Sequence, residues 1–376
     1  MYRHASLPTF LSTLLSGPAK LPIGVMGHIG AGKTQVIRTL QQDVHKALPT
    51  DGSERVVVYD LKGDITEGLP VSDSSILFLS SDDPRSVSWN IATDLAHSAA
   101  RDAFVRAFVA GIGAGLGSNK EALAGAFLHK MIDAARTRSA TWSWRELLSA
   151  IDTVKADDSE PRWHVAAEAI RSPLQALVDR LAVFERDTPP SFSLSEWTKS
   201  ARTMPTGPLA GKNTLILLDT WRGARGNRIL FVLFLAVLVA LSVPDSDTKT
   251  WLFVEDAGSG ILPPDVVNGF YEMPVRGLQC VLGVECLSKL DALYGAHSGA
   301  DFLRHLSGFV LCRTLSPPSL EILTHEYGLS CDEITSLGPT QHGVKTLGCL
   351  GMGADLHKFV WPYVTWPKIR DAKPPR

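Results

Sequence analysis

The sequence predicts an α/β fold with a mainly parallel central sheet, interrupted by an all-α insertion. Three observations lead there. Apolar runs of strand length alternate with helix-period segments towards both ends of the 376-residue chain. A glycine-rich loop joins the first of these runs to the first helix, and the stretch from about residue 91 to 200 carries no strand-like run. Strands separated by helices pair in parallel and present ligands at their carboxyl ends.

In chain order, Leu21 to Met26 comes first, an apolar strand ending at Gly27. After the loop comes "TQVIRTLQQDVHKAL", with Val36, Ile37, Leu40 and Val44 on one helical face. "RVVVYD" (Arg55 to Asp60) and "SILFLS" (Ser75 to Ser80) read as buried strands. Ala-rich helical segments then take over, among them "AARDAFVRAFVAGI" and "PLQALVDRLAVFER". The intervening "GIGAGLG" (Gly111 to Gly117) has no lysine after it and reads as a turn between helices. Strands resume at Asn213 to Asp219, Thr250 to Asp256, Leu278 to Glu285 and Gly308 to Thr314. The Pro- and Trp-rich tail is expected to fray at its end. The expected division is residues 1–95 for the first part of a nucleotide-binding core, 96–200 for the insertion and 201–376 for the second part.

Composition narrows the function classes. Hydrophobic residues make up 45% and charged residues 20%, as in ordinary globular proteins. A net charge of −2 provides no global basic field, so contact with nucleic acid would need a local patch or a ring of subunits. The longest apolar run, Ile229 to Val243, is shorter than the roughly 20 residues that span a bilayer and reads as a buried helix. No signal peptide is evident. The five cysteines form no CxxC pair; four of them read as small core residues in a reducing compartment, and a zinc site is not expected.

The chemistry begins at Gly27-His28-Ile29-Gly30-Ala31-Gly32-Lys33-Thr34, which fits G-x-x-x-x-G-K-[ST] at every fixed position. Such a loop curls so that successive N–H groups face phosphate oxygens, and the helix after it adds its positive end. Gly27, Gly30, Ala31, Gly32, Lys33, Thr34 and Gln35 are therefore the expected nucleotide-binding residues, with ATP and Mg²⁺ as the ligands. Lys33 would contact the β- and γ-phosphates and Thr34 would hold Mg²⁺. The site also needs acids at the end of a nearby strand. "TWLFVED" ends in Glu255 and Asp256, read as metal ligands through water and as activators of the attacking water; Asp219, after "TLILL", is the competing candidate. Asp60, Lys62 and Asp64 either face the γ-phosphate region or a neighbouring subunit, or form a plain turn. Trp142 and Trp144 either stack on single-stranded DNA or pack a helix start.

The order of motifs resembles the conjugative coupling ATPases of type IV secretion systems, TraD-type members of the RecA-like FtsK/HerA group. The carrying residues are the phosphate loop, "VVVYDLKGD" (Val56 to Asp64), "DDPRSVSWNIATDL" (Asp82 to Leu95), "FSLSEW" (Phe192 to Trp197), the acidic strand, and "RGLQCVLGVECLSKLDALYG" (Arg276 to Gly295). The last is similar to the family's G-x-x-x-x-x-G-x-Q-x-x-x-Q-L-x-x-x-Y-G. The likeness implies a RecA-like core and an ATP-driven motor for DNA or nucleoprotein, working as a ring of six. It also implies an arginine donated to a neighbour's γ-phosphate, with Arg276 the candidate by position. Arg222, Arg225 and Arg228 are candidates for DNA phosphates or for the next subunit's nucleotide; the alternative is a solvated loop. Secretion or relaxosome-type proteins would meet the insertion. The protein is expected to be cytoplasmic, recruited to the inner face of the membrane by a partner.

Three departures from the family pattern stand out. Only about twenty residues precede the first strand, where an anchor is usual, so no direct membrane span is expected. The acidic pair runs Glu255 then Asp256, the reverse of the usual order. Glu285 stands where the family has Gln, and an ionised carboxylate accepts but cannot donate. Slow or partner-dependent hydrolysis is the expectation, with a nucleotide-switched adaptor as the second reading. A small-molecule kinase is disfavoured by the large helical insertion.

Overall fold

The computed structural model describes residues 22–49, 53–80, 83, 85–112, 118–157, 161–181, 191–199, 211–218, 226–242, 249–263, 267, 272–314, 316–339, 345–352, 355–362, 368 and 369. Its strands are β1 (Ile23–Met26), β2 (Glu54–Asp60), β3 (Ile76–Leu79), β4 (Ser88–Trp89), β5 (Ser191–Phe192), β6 (Thr214–Leu218), β7 (Lys249–Val254), β8 (Leu278–Val284), β9 (Gly308–Leu311), β10 (Gly338–Pro339), β11 (Lys345–Met352) and β12 (Asp355–Pro362). The main sheet runs β10-β11-β9-β1-β8-β7-β2-β6-β3. From β9 to β3 all neighbours are parallel. The strands from the two ends of the sequence therefore interleave in one sheet, as the alternating pattern requires. At one edge β11 joins β9 antiparallel and pairs with β12 in a hairpin. The strands expected from the sequence ended at Thr314 and so missed this pair, because "KTLGCLGM" is broken by two glycines and lacks a sustained β-branched run; the end of the tail, residues 370–376, lies outside the described residues.

Alternation along each strand sorts the side chains into two cores. Val25, Val56, Val58, Ile216, Phe253, Val281 and Val310 face one side. There they meet Val36, Ile37, Leu40 and Val44 of α1 (Lys33–Ala47), the face expected from the sequence. Burying each of these four contributes about 1.5–3 kcal/mol before entropy is counted. Val57, Tyr59, Leu77, Leu215, Leu217, Leu252, Val254 and Leu282 face the other side.

The second core continues without a break into the helical segment. Short helices α2 (Asp64–Gly68) and α3 (Ile91–Asp94) precede its four long ones, α4 (Ser98–Ile112), α5 (Ser118–Arg138), α6 (Trp144–Asp157) and α7 (Pro161–Leu181). After α8 (Leu194–Lys199), the apolar run forms α9 (Gly226–Leu241). This helix lies between sheet and insertion: Phe231 meets Tyr59 at 5.7 Å between ring centroids, and Phe234 meets Trp89 at 5.3 Å. A helix covered on opposite sides must be apolar on opposite sides, which accounts for the composition without a bilayer. No helix among the described residues is long and apolar enough to cross a membrane. Trp142 and Trp144 are buried, and Trp144 packs edge-on against Trp89 at 5.8 Å. The packing alternative for the tryptophans is the one observed. Residues 113–117 of the glycine-rich stretch lie outside the described residues.

The insertion leaves and rejoins the core at one point. β4 and β5 pair in parallel, with Trp89 opposite Phe192. Asp94, fully buried, accepts from Trp89 Nε1 (2.7 Å), Ser193 Oγ (2.8 Å), Leu194 N (2.9 Å) and Ser195 N (2.8 Å). Two motifs about a hundred residues apart in sequence, "WNIATD" and "FSLSEW", are halves of this one neck.

Candidate nucleotide site

Parallel order puts the carboxyl ends of β1, β8 and β7 side by side, with β8 between the loop strand and the acidic strand. The residues just beyond these three ends build the site. After β1, the loop is pinned by its backbone: Gly27 N donates to Val284 O (3.0 Å) and His28 N to Arg313 O (2.9 Å). Gly30 and Gly32 turn the chain at φ of 79° and 98°, conformations that a side chain would strain. Gly32 then opens α1, whose first N–H groups lack helical partners and are available to an anion.

Lys33 folds back over the loop, its Nζ donating to Gly27 O (2.6 Å) and His28 O (3.2 Å). Burial pushes its pKa below the ordinary lysine value. Thr34 Oγ1 donates to Glu255 Oε1 (3.3 Å), so the loop hydroxyl and the acid after β7 already converge. Glu255 is 5% exposed and also accepts from Leu61 N through Oε2 (3.3 Å). Its carboxyl is raised to about 7, first by burial and then by the neighbouring Asp60. Asp256, raised by burial, caps the turn Ala257–Ser259 by accepting from Gly258 N (3.1 Å). Gly283 of β8 makes this proximity possible, because a Cβ there would collide with the Glu255 carbonyl oxygen.

Glu285, just beyond β8, pairs with Lys289 (2.5 Å) of α10 (Leu287–Tyr294), and this partner holds its carboxyl below the usual range. A cavity of about 580 Å³ unites Gly30, Gly32, Lys33, Thr34, Gln35, Glu255, Asp256 and Glu285 with Arg38, Lys62, Asp64 and Lys289. Ala31, within the loop, is buried and does not line this cavity. Sequence reasoning did not single out Arg38 or Lys289. Each is four residues beyond a residue it did single out: Arg38 stands one helical turn on from Thr34 in α1, and Lys289 lies in the first turn of α10, after Glu285.

Other candidates lie elsewhere. Asp60 is fully buried and accepts from Gly63 N (2.8 Å), Thr66 N (2.7 Å) and Thr66 Oγ1 (2.6 Å). It holds the turn that carries Lys62 and Asp64 to the cavity. Arg276 lies before β8 and Glu285 beyond it, so the whole strand, about 23 Å for 7 residues at about 3.3 Å each, separates them. It pairs with Glu272 (3.4 Å) and borders a separate cavity, so it does not reach this chain's own phosphate loop. Arg228 opens α9 beside Gly260 and Tyr294. Arg222, Arg225 and Asp219 lie outside the described residues. Among the four cysteines whose side chains are described, Cys280 and Cys312 are buried, Cys286 is half-buried and Cys331 is exposed, so the core reading fits two of these four.

Glu255 sets a pH dependence. Its folded pKa lies above the ordinary carboxylate value of 4.5, so ionisation opposes folding. The penalty is absent below pH 4.5, grows as pH rises towards 7, and is complete above 7. Glu255→Gln should therefore match the unliganded wild type at about pH 4.5 and exceed it at about pH 8 by about 2–3 kcal/mol. Urea unfolding at both pH values checks this; a difference independent of pH would refute the assignment.

Comparison with known proteins agrees with this geometry. The family model for the type IV secretion-system coupling protein DNA-binding domain matches residues 13–315. By sequence, no curated protein matches. Among solved structures, the bacterial conjugative coupling protein TrwBdeltaN70 in its unbound form is 16% identical over 99% of this chain and 96% of its own, with a TM-score of 0.70. TrwB in complex with the non-hydrolysable ATP analogue ADPNP superposes with a TM-score of 0.71, at 16% identity and the same coverage. VirB4 of Thermoanaerobacter pseudethanolicus is more distant, at 11% identity over 90% of this chain and 88% of its own, with a TM-score of 0.55. The architecture is thus the RecA-like α/β core with a helical part that the motifs led us to expect. With the match spanning most of its length, the chain belongs to the family of type IV secretion-system coupling protein DNA-binding domains.

Proposed function

We propose that the chain binds ATP with Mg²⁺ in the 580 Å³ cavity and uses its hydrolysis to move DNA or nucleoprotein in a conjugation or type IV secretion-like system. The observation that carries this reading is the approach of Thr34 Oγ1 to Glu255 Oε1 across two separate strands. A hydroxyl and a carboxylate on one side of a phosphate loop are the hard oxygen donors that suit Mg²⁺, which takes few protein ligands and completes its shell with water and phosphate. TrwB has been crystallised with ADPNP and with ADP and Mg²⁺.

In this reading the residues divide the work. Loop N–H groups and Lys33 hold the phosphates, while Thr34 and Glu255 hold the metal's side of the site. Bound Mg²⁺ would neutralise phosphate charge as it develops. Asp256, aimed by its turn, orients the attacking water with Glu285.

Six subunits in a ring would place Arg276 against a neighbour's γ-phosphate and Arg222, Arg225 and Arg228 towards DNA. Residues 96–200, as an all-α domain between core parts 1–95 and 201–376, would meet secretion or relaxosome-type proteins. These would recruit a cytoplasmic protein to the inner face of the membrane. Light scattering and phosphate release, with and without ATP and single-stranded DNA, form the test. The expected result is assembly to a ring and turnover raised about tenfold or more by DNA. A monomer or dimer indifferent to DNA, with no stimulated turnover, would reject the motor and return the adaptor reading.

A further inference from the structure

Lys289 takes no part in that division of work, although it lines the same cavity. In the family-like stretch from Gly277 to Gly295, the two positions patterned as glutamine are occupied by Glu285 and Lys289. Both are charged here, with opposite signs. They are four residues apart, Glu285 at the carboxyl end of β8 and Lys289 in the first turn of α10, and they meet at 2.5 Å. An ion pair thus stands inside the nucleotide cavity where the pattern has two amides.

The location of the pair is defined on two sides. Glu285 lies at the end of β8, between the phosphate loop after β1 and the acids after β7. The stem of Lys289 runs along the Asp256 turn: a Cβ at Gly258 would lie 3.5 Å from Lys289 Cδ and 3.1 Å from Asp256 Oδ1. The Lys289 side chain is 47% exposed, and its ammonium is tethered by the Glu285 carboxylate. It can therefore change rotamer, whereas Lys33 is folded onto two backbone carbonyls. A lone Glu285 would repel a nucleotide's terminal phosphate. Paired, it is neutralised until a stronger anion competes for its lysine.

We propose that Lys289 is a terminal-phosphate recognition residue, held in reserve by Glu285, through which this site distinguishes a nucleoside triphosphate from a diphosphate. The inference rests on the nucleotide-site reading. When the triphosphate binds, the Lys289 ammonium, which has three donors, turns one of them to a γ-phosphate oxygen and stays beside the Glu285 carboxylate; no covalent bond changes. A diphosphate offers no group at that depth and leaves the pair closed. The residue positions and discriminates rather than reacts.

The test is titration calorimetry of the full chain with Mg²⁺ and either ADPNP or ADP. For Lys289→Gln the expected result is an affinity for ADPNP lowered about tenfold, equivalent to about 1.4 kcal/mol, with ADP affinity changed by less than about twofold. Lys289→Arg keeps the charge and should restore the preference. Glu285→Gln releases the lysine and should shift the ratio towards ADPNP. An unchanged ratio in Lys289→Gln, whether both affinities fall together or neither moves, overturns the inference and leaves the nucleotide site intact. A wild-type chain that binds neither ligand overturns the nucleotide reading together with it.

Discussion

Lys33→Met should weaken Mg·ATP binding by about 100-fold while leaving the unliganded protein as stable as before, or slightly more so. The two halves of this expectation have separate causes. Lys33 is the one lysine fixed on the loop itself, donating to Gly27 O and His28 O. Charge-assisted hydrogen bonds to phosphate are each worth about 1.5–3 kcal/mol, and the loss of one such contact corresponds to roughly tenfold to 100-fold in affinity. The upper end applies because the ammonium is half withdrawn from water. Stability moves the other way. Burial lowers the Lys33 pKa, so the charged form is disfavoured on folding. That penalty is present below the folded pKa and disappears as pH rises past the unfolded value of 10.5. Methionine keeps the stem and removes the charge, so at neutral pH the variant should melt no lower than the wild type. Calorimetric titration and thermal melting of one preparation decide the matter. Lost binding with a lowered melting temperature would mean that the loop had unfolded, not that a phosphate ligand had been removed.

The contrast between Lys33 and Lys289 also shows what the sequence could reveal. A phosphate loop is legible because each position answers a local demand: glycine where the backbone turns, lysine and threonine where phosphate and metal arrive. The strands were legible because a sheet covered on both faces demands continuous apolar runs. β11 and β12 were not, since an edge hairpin needs pairing partners more than it needs β-branched residues. Lys289 was passed over because its meaning depends on a partner, Glu285, whose own position in the cavity follows from β8 lying between β1 and β7. Sequence order cannot supply that neighbour relation: β8 comes late along the chain, after β2, β3, β6 and β7, yet it lies directly beside β1 in the sheet. The same holds for Arg276. Its residue type and motif pointed to phosphate chemistry, while the strand direction carries it to the far rim of its own subunit.

Asp94→Ala should be the most destabilising single substitution outside the nucleotide site, costing about 4 kcal/mol. The side chain makes no contact with the cavity, and its sequence context is an ordinary-looking helix end. Its carboxylate nevertheless accepts four hydrogen bonds at 2.7–2.9 Å, from Trp89 Nε1, Ser193 Oγ, Leu194 N and Ser195 N. Asp94 itself is wholly shielded from solvent. Ser193 Oγ keeps Ser195 Oγ as a partner at 2.9 Å, but alanine would leave Trp89 Nε1 and the Leu194 and Ser195 amides buried without their acceptor, and each orphaned group costs about 1–3 kcal/mol, less the share that relaxation and entering water recover. Asp94→Asn is the sharper probe: it keeps the volume, but one of its two ends becomes a donor facing donors, so it should cost about half as much. The consequence extends to function because the neck joins the insertion to the sheet. Trp89 touches both Trp144 of the insertion and Phe234 of α9. Loosening it should let residues 98–181 open before the sheet does. Hydrogen exchange followed by peptide mass analysis would then show α4 to α7 losing protection in Asp94→Ala while β1, β7 and β8 keep theirs. Uniform loss across the chain would instead mean that helices and sheet unfold as one unit, in keeping with the single buried cluster that runs through both.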